Sequence, residues 1–276
     1  MISPTWRRKS ISLIRYFLLG VILIITTFPI YYMVMTSIKT PLQTYDPAIW
    51  IFRPTFENYL SLFENYRIAR NLLNSAIITV FSVLSSLALG GLAAYGLAKY
   101  EFQSKETIAG WMLSIRFLPA MVGVIPLFLI ANALGVIDTY GLLIAAYLTF
   151  NVPFATWMLR GFFEEIPGEL EEAALVDGAS RLQALVRVVV PLAGPGFFAT
   201  AALLIIQTWN EFALALFLAT NNVRTMPTVT SQFQTVRGVL WGEMTALGVL
   251  TTLPVLIFAL LARKYLIRGL TFGALK

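Results

Sequence analysis

The chain has 276 residues, of which 58% are hydrophobic and only 12% charged, with a mean hydropathy of +0.77 and a net charge of +6. Soluble domains carry about 25% charged residues, so this composition describes a chain built for a membrane. With no Cys and no His, disulfides, thiolate or imidazole metal ligands and His-based nucleophilic triads are excluded, and the basic residues flank apolar runs rather than forming a nucleic-acid surface.

Crossing a hydrocarbon core takes about 20 mainly apolar residues, and six stretches qualify. The first, 14–38, follows Arg7, Arg8 and Lys9. No small-residue cleavage site comes after it; Phe28-Pro29-Ile30-Tyr31-Tyr32 continues the apolar run, which predicts a retained anchor. Residues 39–71, with Pro41, Pro47, Pro54 and several charges, predict a loop outside the bilayer with one short helix. The second span, 72–98, contains Gly91-Leu92-Ala93-Ala94-Tyr95-Gly96, which has the spacing of a phosphate loop. Leu97 and Ala98 stand where such a loop needs Lys and Ser or Thr, so these small residues predict close helix packing.

The remaining spans are 108–134, 140–163, 197–220 and 243–263. Pro119, Pro126 and Pro153 predict kinks in the third and fourth. If the N-terminus lies inside, the inner segments hold thirteen of the 20 Lys and Arg residues and the outer ones six, with Arg116 set apart within a span. That bias predicts both termini and the 164–195 loop to be cytoplasmic. No second globular domain and no internal repeat is evident, so residues 1–276 read as a single transmembrane domain.

Ionisable groups inside a bilayer are costly and face protein or water. Arg116, Asn210 and Glu211 are therefore candidates for lining a path, with Trp209, Trp111, Trp157 and Phe212 as flat faces for a ring. Two readings stand for this set: contact with a polar solute in that path, or structural bonding between spans, including an Arg116–Glu211 pair.

The 164–195 loop is far longer than a turn requires. Pro167 suits the start of a helix, and Glu169, Glu171 and Glu172 place negative charge at its positive end. Leu170, Ala173, Ala174 and Val176 form a narrow apolar strip, and Gly178 allows a sharp break. Ser180 is an N-cap candidate for a second helix, whose Leu182, Leu185, Val186 and Val189 share a face. Pro191 and Pro195 are expected to stop that helix. A folded acidic platform on a membrane-buried chain predicts a docking surface for a soluble partner.

Glu172-Ala173-Ala174, then Gly178, then Val188-Val189-Val190-Pro191 resembles the coupling loop of permease subunits of binding-protein-dependent ABC importers. Four further elements, in matching order, are similar to the carbohydrate (maltose-type) subgroup and to its smaller permease. They are Pro54-Thr55-Phe56-Glu57-Asn58-Tyr59, Arg116-Phe117-Leu118-Pro119 with Ile125-Pro126-Leu127-Phe128, Trp209-Asn210-Glu211-Phe212, and Gly269-Leu270-Thr271-Phe272-Gly273-Ala274-Leu275-Lys276.

The resemblance implies an all-α membrane protein of six transmembrane helices with the type I ABC importer permease fold. It implies a sugar or oligosaccharide as substrate and an inner-membrane location. Partners would be a homologous second permease, two ATP-binding subunits and an extracytoplasmic solute-binding protein. ATP and Mg would be bound by the ATP-binding subunits and no cofactor by this chain, which would not be an enzyme. Glu172, Ala173, Ala174, Asp177, Gly178 and Pro191 would couple ATP hydrolysis to the spans, and the tail would either insert between the ATP-binding subunits or end as a plain membrane anchor. The nearest alternative is an ABC importer of an amino acid or phosphate. A secondary transporter would leave the acidic platform unexplained.

Overall fold

The computed structural model describes residues 4–236 and 238–272, with side chains for 12–236 and 238–263. Two compact units emerge, one of Met1–Arg67 with Thr230–Thr252, the other of Ile68–Val229 with Leu253–Lys276.

In the first unit, α1 (Pro4–Ser37) carries Arg7, Arg8 and Lys9 near its start, and its apolar, membrane-length part, Ser12–Ser37, is almost wholly uncovered. A single-residue pin closes the turn that follows. Asn58, in α2 (Glu57–Asn65), donates to the carbonyls of Ser37 at 2.9 Å and Lys39 at 2.7 Å. Asn58 is so close to Gly242, at the start of α12 (Trp241–Phe272), that a Cβ there would lie 2.2 Å from its Oδ1. A two-residue antiparallel pair, β1 (Gln234–Thr235) and β2 (Gly238–Val239), is the one departure from helix and turn among the described residues.

The second unit is built on α3 (Ile68–Lys99) and α6 (Tyr140–Glu164). They approach closely because Gly90 has no side chain: a Cβ there would sit 2.5 Å from Ala155 Cβ. The run 91–96 lies inside α3; Gly91 serves close packing, since a Cβ there would lie 3.3 Å from the Phe197 ring, whereas Gly96 faces open space.

Among the described residues four single helices are long and apolar enough to cross a membrane (Ser12–Ser37, Ile68–Lys99, Tyr140–Glu164, Trp241–Arg263). Two bent pairs, Lys105–Ile115 with Ala120–Ala133 and Arg181–Leu192 with Gly194–Trp209, bring the number to six if each is one span. The expected continuous third span, 108–134, is instead α4 (Lys105–Ile115) and α5 (Ala120–Ala133), bent by 89°. The cause is Pro119, which sits extended at ψ 132° and biases Leu118 away from helix. The expected fifth span, 197–220, is not continuous either. α10 (Gly194–Trp209) ends where Asn210 Nδ2 donates to the Ile206 carbonyl at 2.7 Å. α11 (Ala213–Leu218) begins where the Glu211 carboxylate accepts from the Leu214 and Ala215 amides at 2.9 and 3.2 Å. Two polar side chains thus end one helix and start the next inside an apolar window.

The last helix runs on to Phe272, so Gly269–Phe272 belong to it; Gly273–Lys276, on which tail insertion would depend, lie outside the described residues.

Candidate functional site

The platform assembles from local rules. Pro167 caps α7 (Gly168–Val176), with Glu169 and Glu171 in its first turn. At its end Gly178 takes φ +87°. The Gly178 amide donates to the Leu175 carbonyl at 3.1 Å and the Ala179 amide to that of Ala174 at 3.0 Å. This reciprocal pair is a Schellman ending and needs a left-handed residue at 178. Two residues on, Ser180 and Gln183 form a capping box: the Gln183 amide donates to Ser180 Oγ at 3.3 Å and the Ser180 amide to Gln183 Oε1 at 2.8 Å.

The second platform helix does not stop at Pro191. It runs through α8 (Arg181–Ala184), a π-turn (Leu185–Val189) and α9 (Val190–Leu192), then meets α10 at a 76° bend. The π-turn immediately before Pro191 loosens the helical ladder where proline cannot donate, which lets the helix pass the ring. Nor do the four aliphatic residues share one face. Leu185 and Val189 pack inward with Ala94, Leu159 and Phe163, while Leu182 and Val186 face away, 63% and 57% exposed. Together with Val176, 87% exposed, and the exposed Glu172, Asp177 and Gly178, they make an uncovered surface.

Opposite that surface, the platform is tied to the end of α3. Buried Glu171 accepts a short hydrogen bond from the Tyr95 hydroxyl, and Lys99 Nζ donates to the Ile166 carbonyl at 2.7 Å. The Arg181 guanidinium lies 5.4 Å above the Tyr100 ring. Alongside, Arg160 bridges Glu106 at 3.1 Å and Glu164 at 2.7 Å.

A separate cavity of about 230 Å³ lies where the two broken spans meet α6, lined by Arg116, Tyr147, Asn151, Gln207, Thr208 and Glu211 among others. Arg116 stacks on Phe154 at 4.2 Å and donates to Gln207 Oε1 at 3.3 Å. It does not pair with Glu211, whose carboxylate is already held by the two amides that open α11. Asn151 Nδ2 donates to Thr208 Oγ1 at 2.9 Å across the cavity wall. Of the sequence-predicted path residues, Arg116 and Glu211 come together here. Asn210 turns back onto its own helix, Trp209 is buried in the fold, and Trp111 and Trp157 are exposed.

Sequence reasoning missed Asn151 and Gln207, although as neutral amides in apolar windows they carry the same signal as Asn210. Glu171 was hidden beside Glu172. Its partner Tyr95 lies 76 positions away, beyond the reach of any local pattern.

The sequence model for the family described as "Binding-protein-dependent transport system inner membrane component" matches residues 86–272. A relative in Thermococcus litoralis, the trehalose/maltose transport system permease protein MalG, is 35% identical over 265 residues, covering 94% of this chain and 95% of its own. The trehalose transport system permease protein SugB of Mycobacterium tuberculosis is 36% identical over 255 residues, covering 90% of this chain and 92% of its own. A crystal structure of a bacterial ABC transporter involved in importing the acidic polysaccharide alginate shares the fold, with a TM-score of 0.77 at 24% identity over 96% of this chain and 99% of that one.

Proposed function

The chain belongs to the family of binding-protein-dependent inner-membrane transport components, and from that membership we propose that it is the smaller-type permease of an ABC importer for a sugar or oligosaccharide. The platform is the observation that carries this reading: two capped helices hinged at Gly178, tied to α3 on one side and uncovered on the other. That is the form expected of a surface which a soluble motor grips. In this reading the platform and both termini face the cytoplasm, in keeping with the Lys and Arg bias.

Glu172, Ala173, Ala174, Asp177 and Gly178 present the docking surface to an ATP-binding subunit, and Pro191, which the second platform helix passes before its 76° bend into α10, belongs to the same coupling segment. Two such subunits bind ATP and Mg and hydrolyse the nucleotide. A homologous permease completes the path, and an extracytoplasmic binding protein delivers the sugar. Closure of the ATP-binding subunits displaces the platform and turns the spans outward; hydrolysis resets them.

The sugar assignment rests on the names of the MalG and SugB relatives and on the polar cavity. Arg116 and Glu211, with Gln207 and Asn151, offer donors and acceptors suited to hydroxyl groups, and Phe150 on its wall offers an apolar face. The test is to purify the tagged chain from its native membrane and identify what accompanies it. A second permease and an ATP-binding subunit, with ATPase activity stimulated by a sugar-loaded binding protein, is the expected result. A chain that purifies alone and transports without ATP contradicts it.

A further inference from the structure

We propose that the Tyr95–Glu171 hydrogen bond is the latch through which the platform moves α3, making both residues positioning residues for coupling. This rests on the coupling reading above and adds which span receives the motion and through which atoms.

The last turns of α3 hold the platform at three successive places. Lys99 Nζ takes the Ile166 carbonyl at 2.7 Å, just before Pro167 opens α7. The Tyr95 hydroxyl donates to Glu171 in the first turn of α7. Tyr100, which follows the helix, lies 5.4 Å below the Arg181 guanidinium at the start of α8. Both platform helices and their lead-in are thus gripped from one helix end, on both sides of the Gly178 hinge.

Of these three, the Tyr95 bond is best protected. Glu171 is 6% exposed although its neighbours Leu170 and Glu172 are exposed. The Tyr95 ring is fixed edge-on against Tyr100 at 5.9 Å and Phe163 at 6.4 Å. A hydroxyl held in that way cannot follow the platform by swinging its ring, so displacement of Glu171 draws on the α3 backbone. Hydrogen bonds to charged acceptors are the stronger kind, and a buried one is not readily replaced by water. From α3 the motion passes to α6 through the close approach at Gly90 and Ala155.

Glu171 and Glu172 therefore have opposite tasks: Glu172 faces the partner, and Glu171 faces the fold.

The test uses the assembled transporter in proteoliposomes, reading sugar taken up per ATP hydrolysed, with maltose and trehalose as probes. Tyr95→Phe removes one oxygen and leaves the ring packing, and should lower this ratio about tenfold or more. Glu171→Ala should do the same, whereas Glu171→Gln, whose amide oxygen still accepts the bond, should retain most of it. If Tyr95→Phe and Glu171→Ala both keep the wild-type ratio, the latch is refuted.

Because the chain has no native Cys, the pair Tyr95→Cys and Glu171→Cys can be joined by a short bifunctional thiol reagent. Joining should restore a ratio that the unjoined double variant has lost; a ratio indifferent to joining overturns the proposal even if single variants assemble poorly. Gly178→Trp separates the two ideas. Should it uncouple the transporter while Tyr95→Phe does not, the latch alone fails; should Gly178→Trp transport normally, the platform reading itself fails.

Discussion

Gly178 allows the docking surface to be tested apart from the hinge. Its φ of +87° lies in the left-handed region, which costs an L-residue roughly 1–2 kcal/mol. Beyond its two chain neighbours no atom lies within 4 Å of where a Cβ would sit, and Gly178 is exposed, so a Cβ meets open space and a larger side chain can extend outward from this chain. Gly178→Ala and Gly178→Trp should therefore carry the same backbone cost, roughly a five- to thirtyfold loss in the population of the closed hinge. Gly178→Asn should cost less, because Asn visits this region more readily.

In the isolated, detergent-solubilised chain, thermal unfolding should place Ala and Trp within about 0.5 kcal/mol of each other. In the assembled transporter they should separate. Ala should slow ATP-driven uptake severalfold, while Trp, whose bulk now meets a partner, should abolish it. If Trp is no worse than Ala in the complex, nothing docks at this hinge. A Trp variant already much less stable than Ala in isolation would show that the space around residue 178 is not open.

Three other outcomes follow from specific contacts. Gly90→Ala forces a Cβ to 2.5 Å from Ala155 Cβ and 3.1 Å from the Thr156 amide nitrogen, so thermal unfolding should register a loss of roughly 1–3 kcal/mol. Asp138→Ala removes a carboxylate that accepts from the amides of Asn221, Asn222 and Val223 at 3.1, 2.7 and 3.2 Å, and should cost about 1.5–3 kcal/mol in the same assay. Arg116→Lys keeps the charge but loses the flat stack on Phe154. If the cavity contacts sugar, the KM for uptake should rise about tenfold, equivalent to ~1.4 kcal/mol. A fall in stability with KM unchanged assigns Arg116 to bonding between spans.

Hydropathy located the spans because burial in lipid requires long apolar runs whatever their tertiary contacts. The two exceptions were legible to different degrees: Pro119 announced a kink in the third span though not one of 89°, whereas Asn210–Glu211 announced no break. The break after Trp209 depends on where Asn210 and Glu211 find partners, the Ile206 carbonyl and the amides of α11, a helix too short to stand out in a hydropathy pattern. The platform was more legible. Gly178 and Ser180 act through neighbours within a few residues, so local pattern sufficed. Pro191 misled because a π-turn, which has no simple sequence signature, carries the helix past it. Tyr95 and Glu171 are 76 positions apart, and no periodicity joins them.

The most direct test of the account is sugar uptake by proteoliposomes containing this chain, its second permease and the ATP-binding subunits, with a loaded binding protein on the outside. The account predicts uptake that requires ATP in the compartment facing the platform and that stops with Gly178→Trp. Uptake that proceeds without ATP, or that the Trp variant leaves untouched, would contradict it.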